Sequence, residues 1–131
     1  LAVALARAVA ERDRAAGELK ALFDASPIGM ARINTDGRVL GANDAYLGIV
    51  GVDRGRLAAG ALRWDELTPP ELRARDRAAI EEGRRNGRAT PYEKAYLRPD
   101  GRRVPVLLAS AVLDAERGEA AVFVADLSEK K

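Results

Sequence analysis

Apolar and polar positions alternate most clearly in the last third of the chain. Tyr92-Glu93-Lys94-Ala95-Tyr96-Leu97 has the period of two that a strand requires. Arg98-Pro99-Asp100-Gly101 follows as a turn, then the long apolar run from Val104 to Leu113. Asp114 to Glu119 reads as a second turn, and Ala120 to Ala125 as a third strand. Three antiparallel strands joined by tight turns make a meander. Alternation puts Tyr92, Lys94 and Tyr96 on one face, with Val104, Val106, Leu108, Ser110 and Val112 alternating along the next strand. The opposite positions include Leu107, and Phe123 on the last strand, so both faces of these two strands are apolar. A sheet with one wet face would alternate apolar with polar, so each side needs a cover. Burying a side chain such as Leu107 or Phe123 is worth ~1.5–3 kcal/mol.

The first half of the chain has the helical period. Residues 1–25 are rich in Ala, Leu, Glu, Lys and Arg, all strong helix formers. Leu5, Val9, Ala16, Leu19 and Phe23 fall near a heptad seam that Arg12 interrupts. This helix, from the same chain or a second copy, is the natural cover for the outer sheet face, and it points to a homodimer. Gly17 marks a junction between a linker and a segment packing on the domain, and Pro27 ends the helix. Ile28 to Asn34 and Arg38 to Ala42 predict a hairpin about Asp36-Gly37. Asn43 predicts an N-cap for a short helix carrying Tyr46, Ile49 and Val50. Trp64 to Leu67 reads as a helical turn. Thr68-Pro69-Pro70-Glu71 predicts a helix start with a capping box, and Asn86-Gly87 its end.

Composition narrows the chemistry. The chain has 131 residues, 47% hydrophobic, enough for one domain with a real core. A net charge of +2 gives no strong field toward nucleic acid or a membrane. There is no Cys and no His. Disulfides, thiolate chemistry, histidine metal ligands, a histidine base and a phospho-accepting histidine are therefore excluded within this segment. No apolar run reaches membrane-spanning length. Arg73, Arg75, Arg77, Arg84, Arg85 and Arg88 are interleaved with Asp76, Glu81 and Glu82, the pattern of a solvated helix face. Asp65 and Glu66 point apart on one turn, the geometry of surface or capping residues. Without an initial Met, and closing on what looks like a helix start, the sequence reads as a segment of a longer cytoplasmic protein.

In this order, Ser26-Pro27-Ile28-Gly29-Met30, Asp36-Gly37-Arg38-Val39, Ala42-Asn43, Tyr92-Glu93, Arg98-Pro99-Asp100-Gly101 and Asp126-Leu127-Ser128-Glu129-Lys130 resemble a PAS sensory domain of a bacterial multidomain signalling protein. The resemblance implies an α+β PAS fold. It has a five-stranded antiparallel sheet, short helices on one face and an N-terminal amphipathic helix. Residues 1–18 would form a linker and dimerisation helix, residues 19–131 the domain, with the first hairpin beside the last strand. Ile33, Tyr92, Tyr96, Leu108, Ser110 and Val124 would face the helices, with Tyr46 and Trp64 closing the space. That wall either orients a small ligand or is a filled core whose tyrosine hydroxyls reach carbonyls or solvent. Asp126 and Ser128 would couple the sheet to an output domain such as a histidine kinase. Haem through a proximal His and a cysteinyl flavin adduct are excluded by composition, and no glycine-rich cradle for a non-covalent flavin is evident. No catalytic residue is assigned. An acid/base enzyme would need an inward carboxylate, and none falls on a pocket-facing strand position.

Overall fold

A computed structural model describes residues 1–128. The chain forms helix α1 (Ala2–Ala25), strands β1 (Gly29–Asn34) and β2 (Val39–Ala42), helices α2 (Asp44–Val50), α3 (Arg54–Ala58) and α4 (Arg73–Asn86), then strands β3 (Arg88–Leu97), β4 (Arg103–Asp114) and β5 (Glu119–Asp126). The five strands are antiparallel in the order β2-β1-β5-β4-β3, so the first hairpin lies beside the last strand as expected. Helices α2, α3 and α4 pack on one face. Tyr46, Leu47 and Val50 of α2 meet Val104, Val106, Leu108, Val122 and Val124 of the sheet in the core.

β3 starts four residues before the alternation at Tyr92 reveals it. Ala89 pairs with Ser110 and Tyr92 with Leu108, so one extra residue bulges at Thr90-Pro91. Proline has no ladder donor and tolerates such a site. The bulge shifts the period by one, which places Ala89 and Tyr92 on the same inner face.

Two further expectations differ. Thr68 and Glu71 form no capping box. A 3₁₀ turn occupies Pro70–Leu72, α4 begins at Arg73, and Leu72 supplies no side-chain cap. Pro70 forces Pro69 into extended backbone (ψ 140°), which delays the helix. Thr68 is committed to Trp64 and Lys94, and Glu71 to Arg103 on β4. Helix α1 runs through Gly17 without interruption, and none of its residues is buried. It therefore leaves the outer sheet face of its own chain uncovered, with Leu107 39% and Phe123 38% exposed. Leu5, Val9 and Leu19 are likewise exposed, and Phe23 is half-buried.

Asn43 joins α1 to the domain. Fully buried, its side-chain oxygen accepts from Met30 N and Tyr46 N at 2.9 Å each. Its amide donates to the carbonyls of Phe23 (2.8 Å) and Ile28 (3.1 Å). One side chain thus caps α2, fixes the start of β1 and holds the last turn of α1. Replacing Asn43 with Ala should lower the unfolding free energy by about 2–4 kcal/mol, since buried donors and acceptors lose their partners. Urea denaturation checks this as a lower midpoint at unchanged slope. An unshifted midpoint would show that water replaces all four bonds without loss.

Candidate functional site

Helix α4 turns Asp76, Ala79, Ile80 and Gly83 toward the sheet, at helical spacing. Ala79 and Gly83 are small. A methyl added at Gly83 would sit 3.5 Å from Val112, in ordinary contact. Glycine inside a helix costs ~1 kcal/mol relative to alanine. Here it leaves space. Between α4 and the sheet lies a cavity of about 310 Å³, at the lower end of ligand-pocket volumes.

Of the eight residues expected around a pocket, Ile33, Trp64, Tyr92, Tyr96, Leu108 and Ser110 line this cavity. Tyr46 and Val124 do not. Both are fully buried in the core behind it. Trp64 is held in place by its indole N–H, which donates to Asn34 O at 3.0 Å. The tyrosine hydroxyls bond other side chains, not the carbonyls expected of a filled core. Tyr46 Oη donates to Tyr96 Oη at 3.3 Å, with the rings edge to face at 5.9 Å. Tyr92 Oη donates to Asp76 Oδ1 at 2.6 Å.

Asp76 is the inward carboxylate that the strand pattern lacks. It belongs to α4, not to the solvated face expected of that helix, and it is buried. Its partner is Lys94 on β3, with Nζ 2.9 Å from Oδ2 and a lysine side chain only 1% exposed. Lys94 Nζ also donates to Thr68 Oγ1 at 2.9 Å and lies 4.4 Å from the Tyr96 ring centroid. Thr68 Oγ1 donates its own hydrogen bond to Trp64 O at 3.0 Å. Each ion is thus held on more than one side, the condition for keeping a charge pair in low dielectric. Two sequence signals pointed here. Lys94 shares its face with Tyr92 and Tyr96, and Asp76 lies three and seven residues before Ala79 and Gly83.

Burial dominates the titration of this cluster. It pushes Tyr46 up to about 12, against the lowering effect of its bond to Tyr96. Tyr96 and Tyr92 are raised by burial first, and Tyr92 further by the Asp76 charge. Burial pulls the Lys94 ammonium below the usual lysine value, and Asp76 opposes it.

The remaining candidates lie at the surface. Asp126 Oδ1 accepts from Ser128 N (2.8 Å) and Ser128 Oγ (2.6 Å), closing a tight turn where β5 ends. Leu127 N still reaches Pro105 O on β4 at 2.8 Å. Glu129 and Lys130 of the exit motif lie outside the described residues. Asp65 pairs with Arg63, and Glu66 is exposed. Arg73 and Arg75 donate to the carbonyls of Thr68 and Glu93, so part of the arginine cluster is internal scaffolding.

Two measurements test this geometry. All three tyrosines of the chain sit in the cluster with raised pKa values. Their contribution to stability is complete below the unfolded value of 10 and is lost as pH rises through the folded values, about 12 for Tyr46. Lys94 acts oppositely, its contribution growing with pH up to 10.5. Phenolate absorbance should therefore stay silent while the protein is folded and appear together with unfolding. Ionisation near pH 10 in protein with native circular dichroism would place the hydroxyls in water. In the second, Asp76→Ala should destabilise by about 3–5 kcal/mol by stranding the Lys94 charge. The pair Asp76→Leu with Lys94→Met should recover most of that loss in urea melts. Additive losses would show that the two side chains do not interact.

The comparisons with known proteins agree with this architecture. The sequence pattern of the PAS domain family matches residues 27–129. The hybrid signal transduction protein dokA of Dictyostelium discoideum is 39% identical over 107 residues, which cover 82% of this chain and 6% of that protein. The crystal structure of the PAS domain of an HTR-like protein from Haloarcula marismortui superposes with a TM-score of 0.70 at 20% identity, covering 92% of this chain and 98% of that one. A domain of a sensory box sensor histidine kinase/response regulator from Geobacter sulfurreducens gives 0.66 at 21% identity, covering 85% and 93%. With a family match over most of its length and the fold to go with it, the chain belongs to the PAS domain family.

Proposed function

We propose that this chain is a cytoplasmic, homodimeric sensor module that relays occupancy of its cavity to a covalently linked output domain such as a histidine kinase. The observation that carries this reading is the cavity between α4 and the sheet, closed at its inner end by the Lys94–Asp76 cluster. A ligand there touches α4 on one side and β3, β4 and β5 on the other. It would favour one spacing of helix and sheet, a population shift rather than a chemical step. The shift would reach Asp126 and Ser128 at the end of β5. Residues 1–18 would serve as the linker helix and residues 19–131 as the sensor. Leu5, Val9, Leu19 and Phe23 of α1, with Leu107 and Phe123 of the outer face, would meet their copies in a dimer. Among the described residues, no helix is long and apolar enough to cross a membrane. Asp76 and Lys94 saturate one another, which leaves neither free for acid/base turnover.

Native mass spectrometry of freshly purified protein should show a dimer that carries extra mass. A clean monomer whose melting temperature no metabolite raises would overturn both the dimer and the ligand. A clean dimer without any such shift would leave a dimerisation spacer. In a longer protein that joins this chain to its output domain, Asp126→Ala should uncouple output from signal while the cavity still binds. Unchanged regulation in that variant would remove Asp126 from the relay.

A further inference from the structure

The cavity differs sharply between its two ends. At the inner end, both oxygens of Asp76 are occupied, by Tyr92 and Lys94, and Lys94 is shared between Asp76, Thr68 and the Tyr96 ring. A charged ligand group placed there would have to break the ion pair. The middle is apolar, formed by Leu108, Val112 and Val122 of the sheet, with Ile80 and the small Ala79 and Gly83 of α4 opposite. The mouth is cationic. Arg84, from the last turn of α4, and Arg88, from the first residue of β3, both line the cavity and are both exposed. Arg84 has only a 3.4 Å surface contact with Glu81. The Arg88 side chain makes no hydrogen bond or ion pair with another described residue. Among the described residues, the one carboxylate at the mouth, Glu119, is paired with Arg32 at 3.2 Å. The neighbouring Arg85 is not among the lining residues, so helix-end charge alone does not explain the pair at the mouth.

We propose that the cavity takes an amphipathic monocarboxylate, apolar body inward, with its carboxylate held at the mouth by Arg88 and Arg84. At ~30 Å³ for each water-sized unit, the volume admits roughly ten non-hydrogen atoms. Guanidinium forks suit a carboxylate, and its charge stays in the wet part of the site, where desolvation is least. This assignment rests on the reading of the cavity as a ligand site and adds the chemical class of the ligand.

Octanoate, octanol and octylamine share a body of this size and differ in the head group. Each is titrated into the whole chain by calorimetry, with the fluorescence of Trp64, the only tryptophan and a cavity-lining residue, as a second readout. Octanoate should bind about five- to tenfold more tightly than octanol, and octylamine more weakly than either. Arg88→Gln should remove most of that preference. Arg84→Gln with Arg88→Gln should remove all of it. Gly83→Leu, which fills the middle of the cavity, should abolish binding of all three. Equal affinity for octanoate and octanol, or a preference that survives the double arginine variant, would overturn the carboxylate assignment. Should octanol and octanoate bind alike and both fail in Gly83→Leu, the cavity remains a ligand site and only the class falls. Binding that survives Gly83→Leu would place the ligand elsewhere, and both readings fall. The arginine variants alter exposed side chains, so they decide the question even if Gly83→Leu does not fold.

Discussion

The pairing of Lys94 with Asp76 is the constraint around which the cavity-facing half of the domain is arranged. A lysine ammonium and a carboxylate taken out of water lose several kcal/mol each, and only close, fully bonded contact offsets that loss. The contact fixes α4 against β3 at a set height and rotation. From that placement follow the direction of Ala79 and Gly83, the tilt of the Tyr92 ring and the position of Thr68 at the end of the Trp64 turn. An apolar contact at this point would tolerate sliding; an ion pair with two hydrogen-bonded neighbours and an aromatic ring against it does not.

The polar cluster and the core divide the tyrosines between them. Tyr46 closes the core behind the cavity and touches the cluster only through Tyr96, whereas Tyr92 faces the cavity and bonds the carboxylate directly. A change at Tyr92 would therefore be felt first by α4, and one at Tyr46 by α2 and β1. Asn43 performs the equivalent joining task at the other end of the domain, with neutral groups instead of charges. The two joints lie on different helices, so α2 and α4 are each tied to the sheet by their own polar anchor.

Much of this was legible in the residues. The meander from Tyr92 onward, the Asp36-Gly37 hairpin and the Asn43 cap rest on local chemistry, and local chemistry is what a sequence displays. The inner and outer positions of β4 and β5 followed from alternation. The cluster was less legible for a physical reason. Charge argued that Asp76 and Lys94 belong in solvent, and only tertiary pairing reverses that preference. Asp76 also sits among Arg73, Arg75 and Arg77, which gives its helix the appearance of a surface. The bulge at Thr90-Pro91 hid the start of β3, because a single inserted residue breaks the period on which strand recognition depends. The separate position of α1 was hidden as well. Its apolar residues predict a buried stripe but do not name the surface that buries it.

The pairing of β1 with β5 has a consequence for the architecture of longer proteins. Gly29, where the chain enters the sheet, lies opposite Val124, two residues before it leaves. Entry and exit are therefore neighbours in the middle of the sheet, not at opposite poles of the domain. A unit built this way behaves as a side loop on a polypeptide. It can be gained, lost or duplicated within a longer chain while the flanking segments stay nearly in register, a geometry that suits modules strung in series.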